Sequence, residues 1–187
     1  MTLGTVPAER EMYAGHLGFA LGTYSFRRTV PLWLLLFASE LPDWFDVGLC
    51  VAHVDRGPWG LYTHGLLAVG AAAVLLAGLY AAITSDVIGG GAVALTVASH
   101  YALDYLTGVK PTWPGGPSIG LHLYQYPMVD FVLEGATILI GWWLYRRTVP
   151  AERRQTLATY GVLGGLVMFQ LGAAVAFILN MGGAMKC

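Results

Sequence analysis

The sequence predicts an all-α membrane protein, a bundle of about six transmembrane helices, and three observations lead there. Hydrophobic residues make up 56% of the 187 and charged residues only 11%; with a mean hydropathy of +0.61, this takes the chain out of the soluble class. Apolar runs bounded by charge, Pro or Gly recur along it, each near the roughly 20 residues needed to cross ~30 Å of hydrocarbon at ~1.5 Å per residue. Most His and acidic residues sit near the ends of those runs that one topology places on the same side. The length suits a single transmembrane domain over residues 1–187 and little else.

The first segment, Arg10 to Phe26, is short and closed by Arg27 and Arg28. The opening MTLGTVPAEREMYAGHLG lacks the basic stretch, unbroken apolar core and small-residue cleavage site of a signal peptide, so this segment is expected to be retained. The second, Pro31 to Val51, opens with proline at a first-turn position. Segments at 61–84, 87–107, 128–145 and 157–181 complete the set. Between the fourth and fifth lies an outer loop, 108–127, GVKPTWPGGPSIGLHLYQYP, too rich in Pro and Gly for a regular helix and a candidate cap over the site.

RRTVP occurs at 27–31 and 146–150, and TVPAER at 5–10 and 148–153. The flanking sequences do not align, so RRTVP is read as an interfacial collar. With six spans, Arg27, Arg28, Arg146, Arg147, Arg153 and Arg154 fall on one side, against Arg10, Arg56, Lys110 and Lys186 on the other. The clustered side is expected in the cytoplasm, which puts both termini outside a multi-pass protein of the inner (cytoplasmic) membrane. Trp33, Trp59, Trp113, Trp142 and Trp143 flank the segments as an aromatic belt.

The net charge of −1 excludes an electrostatic nucleic-acid surface. Cys50 and Cys187 supply neither a disulfide framework nor a CxxC metal knuckle. GGG at 89–91 and GVLGG at 161–165 suit close helix packing; no strand precedes them and no GK[ST] follows, so neither is a phosphate loop.

A titratable side chain in hydrocarbon costs roughly 2.5–3.5 kcal/mol on insertion scales, so those retained need partners, a cavity or a metal. His16 lies about two turns into the first segment, Asp43 and Asp46 in the outer half of the second, and His64 at the outer start of the third; His100 and Asp104 close the fourth there, and Asp130 and Glu134 open the fifth. His100 with Asp104, and Asp130 with Glu134, are four apart, and Asp43 with Asp46 three apart, so each pair shares a helical face. Imidazole with carboxylate suits one or two divalent ions, zinc first, with Mg or Mn as oxygen-favouring alternatives. Against this stand plainer roles: a membrane His as an interhelical hydrogen-bonding group, Asp130 as a first-turn acid, and Arg56 as a lipid headgroup contact beside the solvated turn of His53 and Asp55. His122 belongs to the Pro/Gly-rich loop.

The order AGHLG, LPDWFD, THGLL and SHYALDYLTG, then a WPGGP turn and GLHLYQYPMVDFVLE, resembles the bacterial membrane-bound metal-dependent hydrolase family, the group that includes the LexA-binding inner-membrane hydrolase-like proteins. The likeness runs from residue 16 to about 147. It implies a multi-helix membrane fold with His16, Asp43, Asp46, His64, His100 and Asp104 as metal ligands or their close supports, and Glu134 as a recurring acid. The chain departs from the pattern at Gly65, where Ser is frequent, and at GVKP (108–111), where one branch carries HxPD.

The expected function is a membrane-embedded hydrolase in which a divalent ion activates water against a lipid-like (phospho)ester. Glu134 or a spare aspartate is the expected general base, with Arg56 or Lys110 as charge stabilisers. Two alternatives come from other classes: a non-catalytic metal-binding membrane subunit, pairing with a partner or a second copy through 157–181, and a small ion or proton transporter. The transporter is disfavoured because the inner halves of the third and fourth segments carry no titratable group, whereas a path needs them on both sides.

Overall fold

A computed structural model describes residues 14–55, 57 and 60–178. Seven α-helices follow in order: α1 (Ala14–Phe26), α2 (Leu32–Ser39), α3 (Leu41–Val51), α4 (Leu66–Thr84), α5 (Val87–Thr107), α6 (Pro127–Thr148) and α7 (Leu157–Ile178). Between α5 and α6, β1 (Lys110–Pro111) pairs antiparallel with β2 (Ser118–Ile119), so the Pro/Gly-rich loop is a short ribbon. The ribbon is tied back to the helices where the Leu67 and Leu121 amides donate to the Thr112 and Tyr105 carbonyls.

Five of the expected segments match single helices to within a few residues, allowing that the start of the first and the end of the last lie outside the described residues. The second does not. It breaks at Ser39–Glu40 into α2 and α3, because Pro42 has no N–H to continue the ladder and Glu40 takes a non-helical φ of −103° and ψ of 11°. By length and composition, two helices among the described residues are apolar enough to cross a membrane, α4 and α6. α1, α2 and α3 are short, α5 carries the buried His100 and Asp104, and the apolar stretch Leu157–Gly172 belongs to α7.

α1 and α6 run parallel, since Gly18 sits on the backbone of Thr137 and Ile138 while Gly22 faces Gly141 and Leu144. The approach requires glycine on both sides: a Cβ on Gly141 would meet the Gly18 carbonyl oxygen at 1.8 Å. α4 and α5 form a hairpin in which Gly90 packs on Ala77 and Ala81, as GGG suggests. Gly161, Gly164 and Gly165 meet nothing within 4 Å, because α7 faces α6 through Thr159, Tyr160 and Gln170 instead. Val30, Leu35, Ala38, Val69, Val93 and Val97 form the buried core. Leu75, Ile83, Val87 and Ile88 point outward on α4 and α5.

The two ends of the bundle differ. At one, Arg27 and Thr29 meet Asp86 at the α4–α5 turn, with Arg27 Nη2 2.5 Å from its carboxylate. Tyr24 and Tyr145 lie near each other at this end, 6.0 Å between ring centroids, so the arginines that close α1 and α6 share it. At the other, His16 on α1 meets Asp104 on α5. Eleven helical residues separate His16 from Arg27, about 16 Å.

Candidate metal centre

The break between α2 and α3 leaves the Ser39 carbonyl outside the helix ladder, and His100 Nδ1 takes it at 2.7 Å. A carbonyl only accepts, so Nδ1 carries the proton and the Nε2 lone pair faces inward. There it lies 3.5 Å from Asp104 Oδ2 and 3.9 Å from Asp43 Oδ2. Four-residue spacing on α5 brings His100 and Asp104 together as expected.

His64, in the turn before α4, repeats the logic through a hydroxyl. Thr63 Oγ1 lies 3.0 Å from Asp46 Oδ1 and 3.2 Å from the Gly60 carbonyl, both of which accept from it, and 2.9 Å from His64 Nδ1. The single hydroxyl proton goes to one acceptor, so the oxygen receives the Nδ1–H. His64 Nε2 is left facing Asp43 Oδ1 at 3.0 Å. Two histidines from different elements thus aim acceptor nitrogens at carboxylate oxygens, an arrangement that calls for a proton or a cation between them.

His16 stacks on His100 with ring centroids 3.9 Å apart and places Nε2 3.4 Å from Asp104 Oδ1. Both nitrogens of His16, His100 Nε2 and both oxygens of Asp104 are buried and, beyond the ion-pair contacts they make with one another, with Asp43 and with Lys110, none has a hydrogen-bond partner. Buried polar atoms without hydrogen bonds are individually costly, so imidazole nitrogens and carboxylate oxygens gathered this closely form a group that could take a cation. His16, His100 and Asp104 offer ligand atoms within 4.8 Å of one another, and so do Asp43, His64 and His100. The donor set of imidazole nitrogen and carboxylate oxygen fits zinc, with manganese as an alternative.

The remaining expectations divide. Asp46 joins neither set and supports His64 through Thr63. Glu134 is buried on α6 but also outside both sets. Asp130 opens α6 as a first-turn acid. His122 is exposed in the loop beside Gln125, and Asp55 turns its carboxylate to the Gly57 amide. Arg56 and Trp59 lie outside the described residues. Trp142 leaves the expected belt, buried with its indole N–H donating to the Thr159 carbonyl.

Two participants exceed the sequence reading. Lys110, offered above only as a charge stabiliser beside Arg56, is 2% exposed with Nζ 3.3 Å from Asp104 Oδ2. Glu40, which no motif singled out, sits at the α2–α3 break beside Asp43 and near His16. The signal available for Glu40 was its place before Leu-Pro-Asp, an acid at a proline-broken helix.

A bundle with an apolar exterior and a buried imidazole–carboxylate centre at one end defines a helical membrane protein with a polar site. The chain belongs to the YdjM inner membrane protein family, whose model matches residues 12–177. That description gives a location and no reaction. No curated protein and no solved structure matches the chain.

Proposed function

We propose that this protein is a membrane-embedded metal-dependent hydrolase acting on a lipid-like phosphoester or ester. The observation that carries the proposal is the pair of Nδ1-anchored histidines, His64 on Thr63 and His100 on Ser39, whose Nε2 atoms face Asp43 and Asp104. His16, His64, His100, Asp43 and Asp104 would hold the ion, with Asp46 orienting His64. A divalent ion there supplies Lewis acidity and a more acidic water. Lys110 neutralises Asp104 and stands ready to offset negative charge on a substrate. Glu40 adjoins the cluster and takes the general-base role better than Glu134, which joins neither ligand set.

Support for a lipid-like substrate comes from an apolar groove of about 290 Å³ lined by Leu61, Tyr62, Leu67, Ala68, Thr112, Trp113 and Pro114. These are chain neighbours of His64 and Lys110. We take the bundle as six spans, with α2 and α3 one broken span, the arginine collar cytoplasmic, and both termini and the metal centre at the outer face. The parallel α1 and α6 agree with that topology.

The test is elemental analysis of detergent-purified protein, followed by phosphate or fatty-acid release from a panel of lipid esters by wild type and His100→Ala. Stoichiometric zinc with turnover lost in the variant is expected. Metal-loaded wild type inactive across a broad panel would favour the second reading, a non-catalytic metal-binding membrane subunit, for which the unpacked Gly161–Gly165 stretch of α7 is the supporting observation.

A further inference from the structure

The opposite end of α6 carries a second polar feature with no part in the metal centre. Arg146 and Arg147 close α6, the chain turns through Ala151–Arg153, and Arg154 comes back beside them. Together with Trp143, Ala151 and Gln155 they line a groove of about 440 Å³. Its guanidinium groups are held in place by uncharged partners. Arg146 Nε donates to the Arg154 carbonyl at 3.1 Å, and its guanidinium lies over Trp142 and Tyr160, 5.6 Å from each ring centre. Arg154 donates to the carbonyls of Val149 and Arg147 at 2.9 and 3.1 Å. Arg147 lies over Trp143, 3.4 Å from the ring centre.

Among the described residues no carboxylate pairs with these three, whereas Arg27 at the same end is matched by Asp86. Three like charges fixed around a groove repel one another unless an anion enters, and their unused N–H groups match phosphoryl oxygens. Trp143 beside them is partly exposed, at the level where indole rings meet headgroups. We propose that this groove binds the phosphoryl headgroup of an acidic phospholipid. It lies about 18 Å along α6 from Glu134 at the other end of the bundle, so the lipid here is a bound partner, distinct from the proposed substrate.

The experiment is native mass spectrometry of the full chain released from nanodiscs containing equal phosphatidylglycerol and phosphatidylcholine, repeated with excess inorganic phosphate. Wild type should retain phosphatidylglycerol selectively. Arg147→Gln, which removes a guanidinium that donates to no carbonyl, should lower retention about five- to tenfold, and Arg146→Gln should act alike. Arg28→Gln, an exposed arginine at the same end, should change nothing. Equal retention of both lipids, unaltered retention in both groove variants, or displacement by inorganic phosphate at low millimolar concentration would each overturn the proposal, the last by showing a site for the free anion. The readout is independent of metal content and turnover, so failure of the hydrolase reading leaves it standing.

Discussion

Removing the Thr63 hydroxyl tests the proposed metal centre without touching a proposed ligand. Thr63→Val keeps the side-chain shape but deletes the oxygen that lies 2.9 Å from His64 Nδ1 and 3.0 Å from Asp46. In the wild type that oxygen accepts the Nδ1 proton and so leaves Nε2 a lone pair. Without it, His64 gains by shifting its proton to Nε2 and donating to Asp43 Oδ1, already 3.0 Å away. The tautomer that donates to Asp43 cannot bind metal through Nε2. Loss of such an orienting partner weakens metal binding about 10- to 100-fold, or about 1.4–2.7 kcal/mol. Competition for zinc against a chromophoric chelator, in detergent, measures it directly. Thr63→Ser retains the hydroxyl and should bind as wild type does. The tautomer argument is refuted if Thr63→Val holds zinc with wild-type affinity while His64→Ala does not.

Three further outcomes follow from other parts of the structure. Gly141→Ala should destabilise the detergent-solubilised protein by about 1–3 kcal/mol, because the new Cβ meets backbone at Gly18 that can yield only by parting α1 from α6; an unchanged unfolding midpoint would contradict the parallel α1–α6 packing. Lys110→Met strips the cation from buried Asp104, so the metal-free protein should lose about 3–5 kcal/mol while zinc binds more tightly; parallel loss of both would mean that Lys110 is purely structural. Asp86, outside the spans, has its carboxyl held below the usual 3.8 by the Gly89 amide and then by Arg27. Its contribution should be complete above about pH 4 and disappear as acid protonates it in the fold, so the gap in unfolding midpoint between wild type and Asp86→Asn should be constant from pH 5 to 7 and close below pH 4. A gap that does not narrow as the pH falls below about 4 would disprove the ion-pair account.

What the sequence could reveal here depended on how far each residue's role is fixed by its own helix. His100 and Asp104 share a face of α5 by spacing alone, and α5 spans Val87–Thr107 as expected from its apolar run. The gathering of His16, His64 and Asp43 with them followed from topology, because helices that alternate in direction bring alternate ends to one level. Glu40 was hidden for the opposite reason. It was taken as part of one continuous span, and only the break forced by Pro42 turns its neighbour's carbonyl toward His100 and sets Glu40 beside Asp43. Lys110 was hidden because a loop's side-chain direction has no periodicity, and the short β1–β2 pairing is what carries it inward to Asp104. The same contrast separates the two acids of LPDWFD. Three-residue spacing placed Asp43 and Asp46 on one face without ranking them, and Asp43 faces His64 and His100 while Asp46 faces Thr63. Spacing sets which face of a helix a residue occupies; the neighbouring turn at Gly60–Gly65 decides whether that residue meets an imidazole or the hydroxyl that orients it.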